Sequence, residues 1–425
     1  MTGIRKFKKF MVKTFFAAVL VTALFTGWYV ERMIPDHFSI VADQVESFRF
    51  PGLINSTLLS ESEEVALGNG SHIPADEIKI TRNDTFTMYA KNKGSYQLNL
   101  KLFGLLPLKN IQVDVVDTQY AVPCGLPVGI YLKSNGIMVI GTGEVAGPDG
   151  TVAEPSLGIL QSGDYIEAVN GSPLSTKEEL MEEVNDSRGQ ETVLTVRRSG
   201  TEIDVKINPA MSADGDYKLG AWVRDDTQGI GTMTYVDLNG HFGALGHGIS
   251  DSDTGEIVQI EDGSLYDTAV MGIEKGSAGK PGVMSGVIYY GPGSSLGAIE
   301  ANTEEGVFGT VNDRFLNRLE SEPLETGYKQ DVQEGPAVIR SSVSGELKDY
   351  EIQIEKVDYS SGKTGKGMVI RVTDPDLLSL TGGIVQGMSG SPIIQNNKLV
   401  GAVTHVFIQD SSRGYGIFVE NMLKH

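Results

Sequence analysis

The run Gly387-Met388-Ser389-Gly390-Ser391-Pro392, followed by Leu399-Val400-Gly401-Ala402-Val403-Thr404, constrains this chain more than any other stretch. The apolar, partly β-branched residues at 399–404 read as a buried strand. The glycines around Ser389 read as a tight turn that lifts a hydroxyl out of the backbone. A serine hydroxyl becomes a nucleophile only when a base takes its proton and donors await the oxyanion. With no side chain at 387 in the way, the amides of Gly387 and Ser389 are expected to converge on one carbonyl oxygen. The pattern Gly-x-Ser-Gly is short, so a base and an acid must be found elsewhere in the chain.

There are six histidines: His37, His72, His241, His247, His405 and His425. His247 lies in Gly243-Ala244-Leu245-Gly246-His247-Gly248-Ile249-Ser250-Asp251, a glycine-hemmed apolar run where a polar ring has no evident structural reason to be. Asp374 ends the strand-like Val369-Ile370-Arg371-Val372-Thr373 and is stopped by Pro375. Asp251, Asp253 and Asp313 are rival acids that spacing does not separate from it. A core histidine and an Asp-Pro turn are the structural readings of the same residues. His405, after the strand that follows the nucleophile, reads as a cleft-lining residue whose role is structural or substrate contact rather than that of base. The order His247, Asp374, Ser389 is the order of the chymotrypsin-like proteases.

Gly243-Ala-Leu-Gly-His247, Thr373-Asp374-Pro375 and Thr381-Gly-Gly-Ile-Val-Gln-Gly-Met-Ser-Gly-Ser-Pro-Ile-Ile-Gln395 resemble the stage IV sporulation protein B family, over roughly residues 120–425. The family comprises membrane-associated serine peptidases of endospore-forming bacteria, with a PDZ domain before the peptidase domain. The resemblance implies an endopeptidase with Ser389 as nucleophile, His247 as general base and Asp374 as orienting acid. It also implies self-cleavage, and cleavage of a regulatory subunit of a membrane-embedded protease complex that processes a late mother-cell sigma factor. The protein is then expected to be exported from the forespore and released between the two membranes. The rival function is a PDZ-based binding scaffold whose barrel is catalytically inactive.

Arg5, Lys6, Lys8, Lys9 and Lys13 precede the apolar run 15–30, and the positive-inside rule keeps those charges cytosolic. Sixteen residues fall just short of the ~17–25 of a spanning helix, so a retained anchor and a removed signal both fit. Trp28-Tyr29 at its end favours a single-span anchor. The net charge of −20 disfavours nucleic acid as a partner, because phosphates are repelled. The single cysteine, Cys124, excludes an intramolecular disulfide and a cysteine-based zinc site. No metal or other cofactor is called for. Protein substrates, the chain itself among them, are the expected partners.

The chain divides into an N-terminal basic stretch and anchor (1–35), a β-rich membrane-proximal region (36–118), a PDZ domain (119–212) and a peptidase domain (213–425). The polar loop 56–71 is a candidate for self-cleavage. Gly125-Leu126-Pro127-Val128-Gly129-Ile130 resembles the PDZ loop that holds a peptide's terminal carboxylate, with an adjoining strand edge for the peptide. Gly163-Asp164-Tyr165-Ile166-Glu167-Ala168-Val169-Asn170-Gly171 matches the signature of bacterial PDZ modules. A helix is predicted over 175–184, and a hairpin over 192–207 turned at Ser199-Gly200. From about 213 onward, short strands separated by glycine turns predict a chymotrypsin-like double β-barrel closed by a short helix at 419–424. The fold class is accordingly mainly β.

Overall fold

The computed structural model describes residues 35–48, 86–102, 106–277, 279–291, 293–359 and 365–425, with short pieces at 58–59, 65–66, 72–73 and 78–82 and isolated positions between 11 and 28. Most of the expected anchor and of the 56–71 loop lies outside the described residues. Among the described residues no helix is long and apolar enough to cross a membrane. The fold is mainly β.

In the N-terminal region, β1 (His37–Val41), β2 (Gly94–Leu102) and β3 (Leu106–Val116) share one sheet. β1 runs parallel to β3, which pairs antiparallel with β2. β1 also docks on the C-terminal end of the chain: Ser39 Oγ donates to buried Glu420 (2.8 Å), and Gln330 Nε2 donates to the Ser39 carbonyl (2.5 Å).

β4 (Tyr120–Thr142) is a single 23-residue strand with two roles. Its distal part, Ile137–Thr142, belongs to an α/β unit with β5 (Tyr165–Val169), α1 (Lys177–Asp186), β6 (Thr192–Arg198), β7 (Thr201–Ile207) and the start of β8 (Ala221–Asp237). α1 starts where Thr176 and Glu179 form a reciprocal capping box, and it buries Leu180 and Val184 one turn apart. The β6–β7 hairpin turns at Ser199 and Gly200, both at positive φ, as its sequence predicts.

The proximal part of β4 closes a ring of six antiparallel strands with the rest of β8, β9 (His241–Ala244), β10 (Ile260–Tyr266), β11 (Ser295–Thr303) and β12 (Gly306–Val311). Pairing runs β4–β8–β9–β12–β11–β10 and returns to β4. Inward residues such as Val128, Ile130, Leu132, Met233, Phe242 and Leu265 fill this ring. A second ring joins β13 (Gly335–Ser341), β14 (Lys348–Val357), β15 (Met368–Val372), β16 (Pro392–Gln395), β17 (Lys398–Phe407) and β18 (Asp410–Phe418). It closes in the order β13–β14–β15–β18–β17–β16 around Ile339, Ile352, Ile370, Val403 and Phe418. Closure leaves no unpaired ladder edge within either ring, which antiparallel strands this short otherwise expose. Within the second ring, α2 (Pro375–Thr381) follows β15, and α3 (Val419–Met422) ends the fold where a closing helix is predicted.

This topology corrects one expectation. Residues 125–130 are not a carboxylate-binding loop: they lie mid-strand in β4, with Leu126–Ile130 paired to β8 and Gly129–Ile130 paired also to β10. Val128 and Ile130 are buried. Gly125 marks a bulge at φ +69°, and a side chain there would meet the Arg340 carbonyl at 2.6 Å. Its carbonyl instead accepts from the Ser342 amide (3.0 Å), tying the first ring to the second. The strand 120–133 therefore serves the first ring, and the α/β unit is inserted between two of that ring's strands.

Candidate active site

The turn that carries Ser389 is pinned by its own chain and by the first ring. The Gly390 amide donates to the Val403 carbonyl (2.7 Å) and the Ser391 amide to the Met388 carbonyl (2.9 Å). Met388 is buried in the second core. From β8, buried Thr232 donates its amide to the Ser389 carbonyl (3.3 Å) and its hydroxyl to the Gly387 carbonyl (2.6 Å). Gly390 is at φ +95°, and a Cβ there would lie 2.1 Å from the Thr232 carbonyl, so only glycine permits this approach.

The same Thr232 carbonyl accepts from the Leu245 amide (3.2 Å), at the end of β9. Leu245 and Gly246 then take φ +67° and +69°, turning the chain sharply and presenting His247 beside Ser389. One residue of β8 thus anchors both the serine turn and the histidine turn. Sequence reasoning missed Thr232, since a threonine in an alternating strand carries no signal of its own.

His247 and Ser389 line one pocket of about 230 Å³ between the rings. They are not hydrogen-bonded to each other in this structure; such contacts often tighten only on substrate binding. His247 Nδ1 lies 2.8 Å from the Gly248 carbonyl. A carbonyl only accepts, so the proton sits on Nδ1 and Nε2 keeps its lone pair. Burial holds the His247 pKa below its ordinary value, against a smaller opposite effect of the Gly248 carbonyl, so the ring is neutral at pH 7. His405 packs against it with ring centroids 4.9 Å apart. Lost hydration, then the charges of His247 and Lys366, push His405 down to about 4. Among the described residues the Ser389 amide has no acceptor, which leaves it available to bind an oxyanion.

Asp374 does not join this pair. It is the N-cap of α2, accepting from the Leu377 amide (2.9 Å) through one carboxylate oxygen and from the Glu351 amide (3.3 Å) through the other. The run Asp-Pro at a helix start explains the placement: aspartate caps and proline suits the first helical turn. The rival acids are also engaged elsewhere. Asp251 is buried against Arg224 and accepts from the Asp253 and Thr254 amides (both 2.9 Å). Asp253 pairs with Arg224 as well (3.1 Å), and Asp313 opens a short helix capped by Asn312. None of the four forms an ion pair with His247. Among the described residues no cluster of three or more His, Cys, Asp or Glu is placed to hold a metal.

A serine on a glycine-flanked turn, a neutral histidine lining the same pocket and a cleft between two closed β-rings are the parts a serine peptidase requires. Residues 215–423 match the family described as SpoIVB peptidase S55. The match begins after β4, so the strand that completes the first ring lies upstream of it. No curated protein matches the chain. Among solved structures, the Rv3671c protease from M. tuberculosis in its active form is similar at 13% identity over 47% of this chain and 72% of that one. The TM-score of that match is 0.25.

Proposed function

We propose that the chain is a serine endopeptidase in which Ser389 attacks the scissile carbonyl while His247 Nε2 takes its proton. The observation that carries this reading is the shared pocket of Ser389 and a neutral His247 whose Nδ1 proton is already committed to a carbonyl. In this arrangement the Gly248 carbonyl fixes the tautomer, the part an orienting acid plays elsewhere. The Ser389 and Gly387 amides bind the tetrahedral oxyanion, and a donor of this kind is worth about 2.7–4 kcal/mol when removed. His247 then returns the proton to the leaving amine, and water hydrolyses the acyl-enzyme. The two six-stranded rings are the two barrels of a chymotrypsin-like peptidase domain.

The family match supports a role in sporulation. The finer reading is a signalling peptidase exported from the forespore and anchored by its N-terminal segment. It cuts itself, releasing the ectodomain, and cuts a regulatory subunit of a membrane-embedded protease complex that processes a late sigma factor. The inserted α/β unit acts as a PDZ domain for C-terminal peptides. Its groove lies between α1 and the start of β8, a pocket of about 650 Å³ lined by Leu180, Val184 and Trp222. Among the described residues the Leu219 and Gly220 amides at its end have no acceptor, which suits a terminal carboxylate.

One observation favours the inactive-scaffold alternative: among the described residues no carboxylate supports His247. The full chain, wild type beside Ser389→Ala, decides between them when followed by intact mass and by labelling with a serine-directed fluorophosphonate. Fragmentation and labelling of the wild type alone establish the peptidase. Neither fragments nor label leaves the scaffold as the better account.

A further inference from the structure

The pocket shared by Ser389 and His247 is lopsided. Apart from Ser389 it is built wholly from the first ring and the inter-strand loop that carries His247. Its floor is apolar, with Ile130 and Leu245 buried and Ile230 and Ile249 half-buried. Its rim holds exposed Gln228, whose side-chain oxygen accepts from the Tyr290 hydroxyl, and exposed Ser250. Among the described residues no carboxylate, lysine or arginine lines it.

Chemistry fixes which part of a substrate this pocket faces. The proton that His247 takes from Ser389 must be delivered to the leaving nitrogen as the C–N bond breaks, so that nitrogen comes within reach of Nε2. The acyl carbonyl oxygen points instead toward the Ser389 amide. The residue after the scissile bond therefore lies on the histidine side of Ser389, and that side is where the pocket opens. Resting on the serine-peptidase reading, we propose that this pocket selects an uncharged aliphatic side chain at the position immediately following the cut bond. A charged side chain placed there loses its hydration against Ile130, Ile230, Leu245 and Ile249 and finds no partner.

Gly229 offers a clean way to close the pocket. Its backbone is outside the left-handed region, and a Cβ there meets nothing within 4 Å, so a larger residue is accommodated without strain. The full chain is incubated with a randomised decapeptide mixture, and cut sites are read by mass spectrometry for wild type, Ser389→Ala, Gly229→Leu and Ile249→Asp. Leucine, isoleucine, valine or methionine after the bond should exceed glycine, aspartate and lysine by about tenfold or more in the wild type. Gly229→Leu should move the preference to glycine and alanine, and Ile249→Asp should bring lysine and arginine up. Ser389-dependent cuts with no selection after the bond, or a selection that neither variant moves, overturn the pocket assignment while leaving the peptidase intact. No Ser389-dependent cut at all overturns both.

Discussion

The Thr232 hydroxyl and the Gly387 carbonyl, 155 positions apart in the chain, are joined by a 2.6 Å hydrogen bond across the junction of the two rings. Through this bond a strand of the first ring sets the height of the Ser389 turn of the second. Thr232→Val keeps the shape and deletes the donor, leaving the Gly387 carbonyl short of a partner. Stability should fall by about 1 kcal/mol in urea unfolding. The rate constant of cleavage should fall by about 10- to 100-fold, because a displaced nucleophile forfeits its attack geometry. KM should change little, and Thr232→Ser should restore both quantities. An unchanged kcat in Thr232→Val removes the positioning role.

Asp374 tests whether this geometry is the working one. As a helix cap, Asp374→Ala should cost about 1 kcal/mol, and Asp374→Asn should cost little, since asparagine caps as well as aspartate. Peptidase activity should then survive in Asp374→Asn. A loss of the order of 10⁴-fold with unchanged melting temperature would instead mark Asp374 as the orienting acid of a rearranged active state.

In the proposed mechanism His247 must be neutral to act as the base, and burial lowers its pKa. The acid limb of kcat/KM is therefore expected below pH 6.5, so the enzyme keeps working in mildly acidic buffer where an ordinary histidine base is largely protonated. A limb at or above 6.5 contradicts the buried, carboxylate-free setting.

His405 makes a separate contribution to stability. With its folded pKa near 4, the unfolded chain binds more protons between about pH 4 and 6.5, so its contribution is complete above 6.5 and is lost as pH falls toward 4. His405→Phe should flatten the stability profile in that window. Chemical denaturation at pH 5 and 7.5 measures the difference.

At the other end of the fold, His37 lies 2.6 Å from Asp114 and 3.5 Å from Glu420, and hydrogen bonding to Glu420 leads the causes that raise its pKa. Docking of β1 through the charged His37 is thus complete below pH 6.5 and weakens as pH rises through the raised value. Hydrogen exchange of the 37–41 amides, corrected for its intrinsic rise with pH, should speed up at high pH. Glu420→Ala should make it fast at every pH, since Ser39 and the Lys329 amide (3.0 Å) lose their acceptor at a cost of about 1–3 kcal/mol. Equal exchange in both proteins would show that the contact does not hold β1.

Local patterns were legible wherever one segment contains its own reasons. The β6–β7 hairpin, α1, the closing helix and the turn around Ser389 follow from turn residues, apolar periodicity and glycine placement along a few neighbouring positions. The motif Gly-Met-Ser-Gly-Ser-Pro sufficed to point at Ser389, and the glycine-hemmed run at His247.

The sequence by itself determined a mainly β chain and its candidate nucleophile and base, because side-chain chemistry and strand period act at short range. Tertiary structure alone decided the partners. It placed 125–130 inside a ring strand, since the pairing edges of β8 and β10 lie some hundred residues away and no local pattern distinguishes a buried strand from a binding loop. It gave Asp374 to a helix end, where amide donors satisfy its charge, and it gave the tautomer of His247 to the carbonyl of Gly248. It made Thr232 the link between the two turns, because hydrogen bonds between distant segments depend on how closed rings meet and leave no mark in the spacing of residues along the chain.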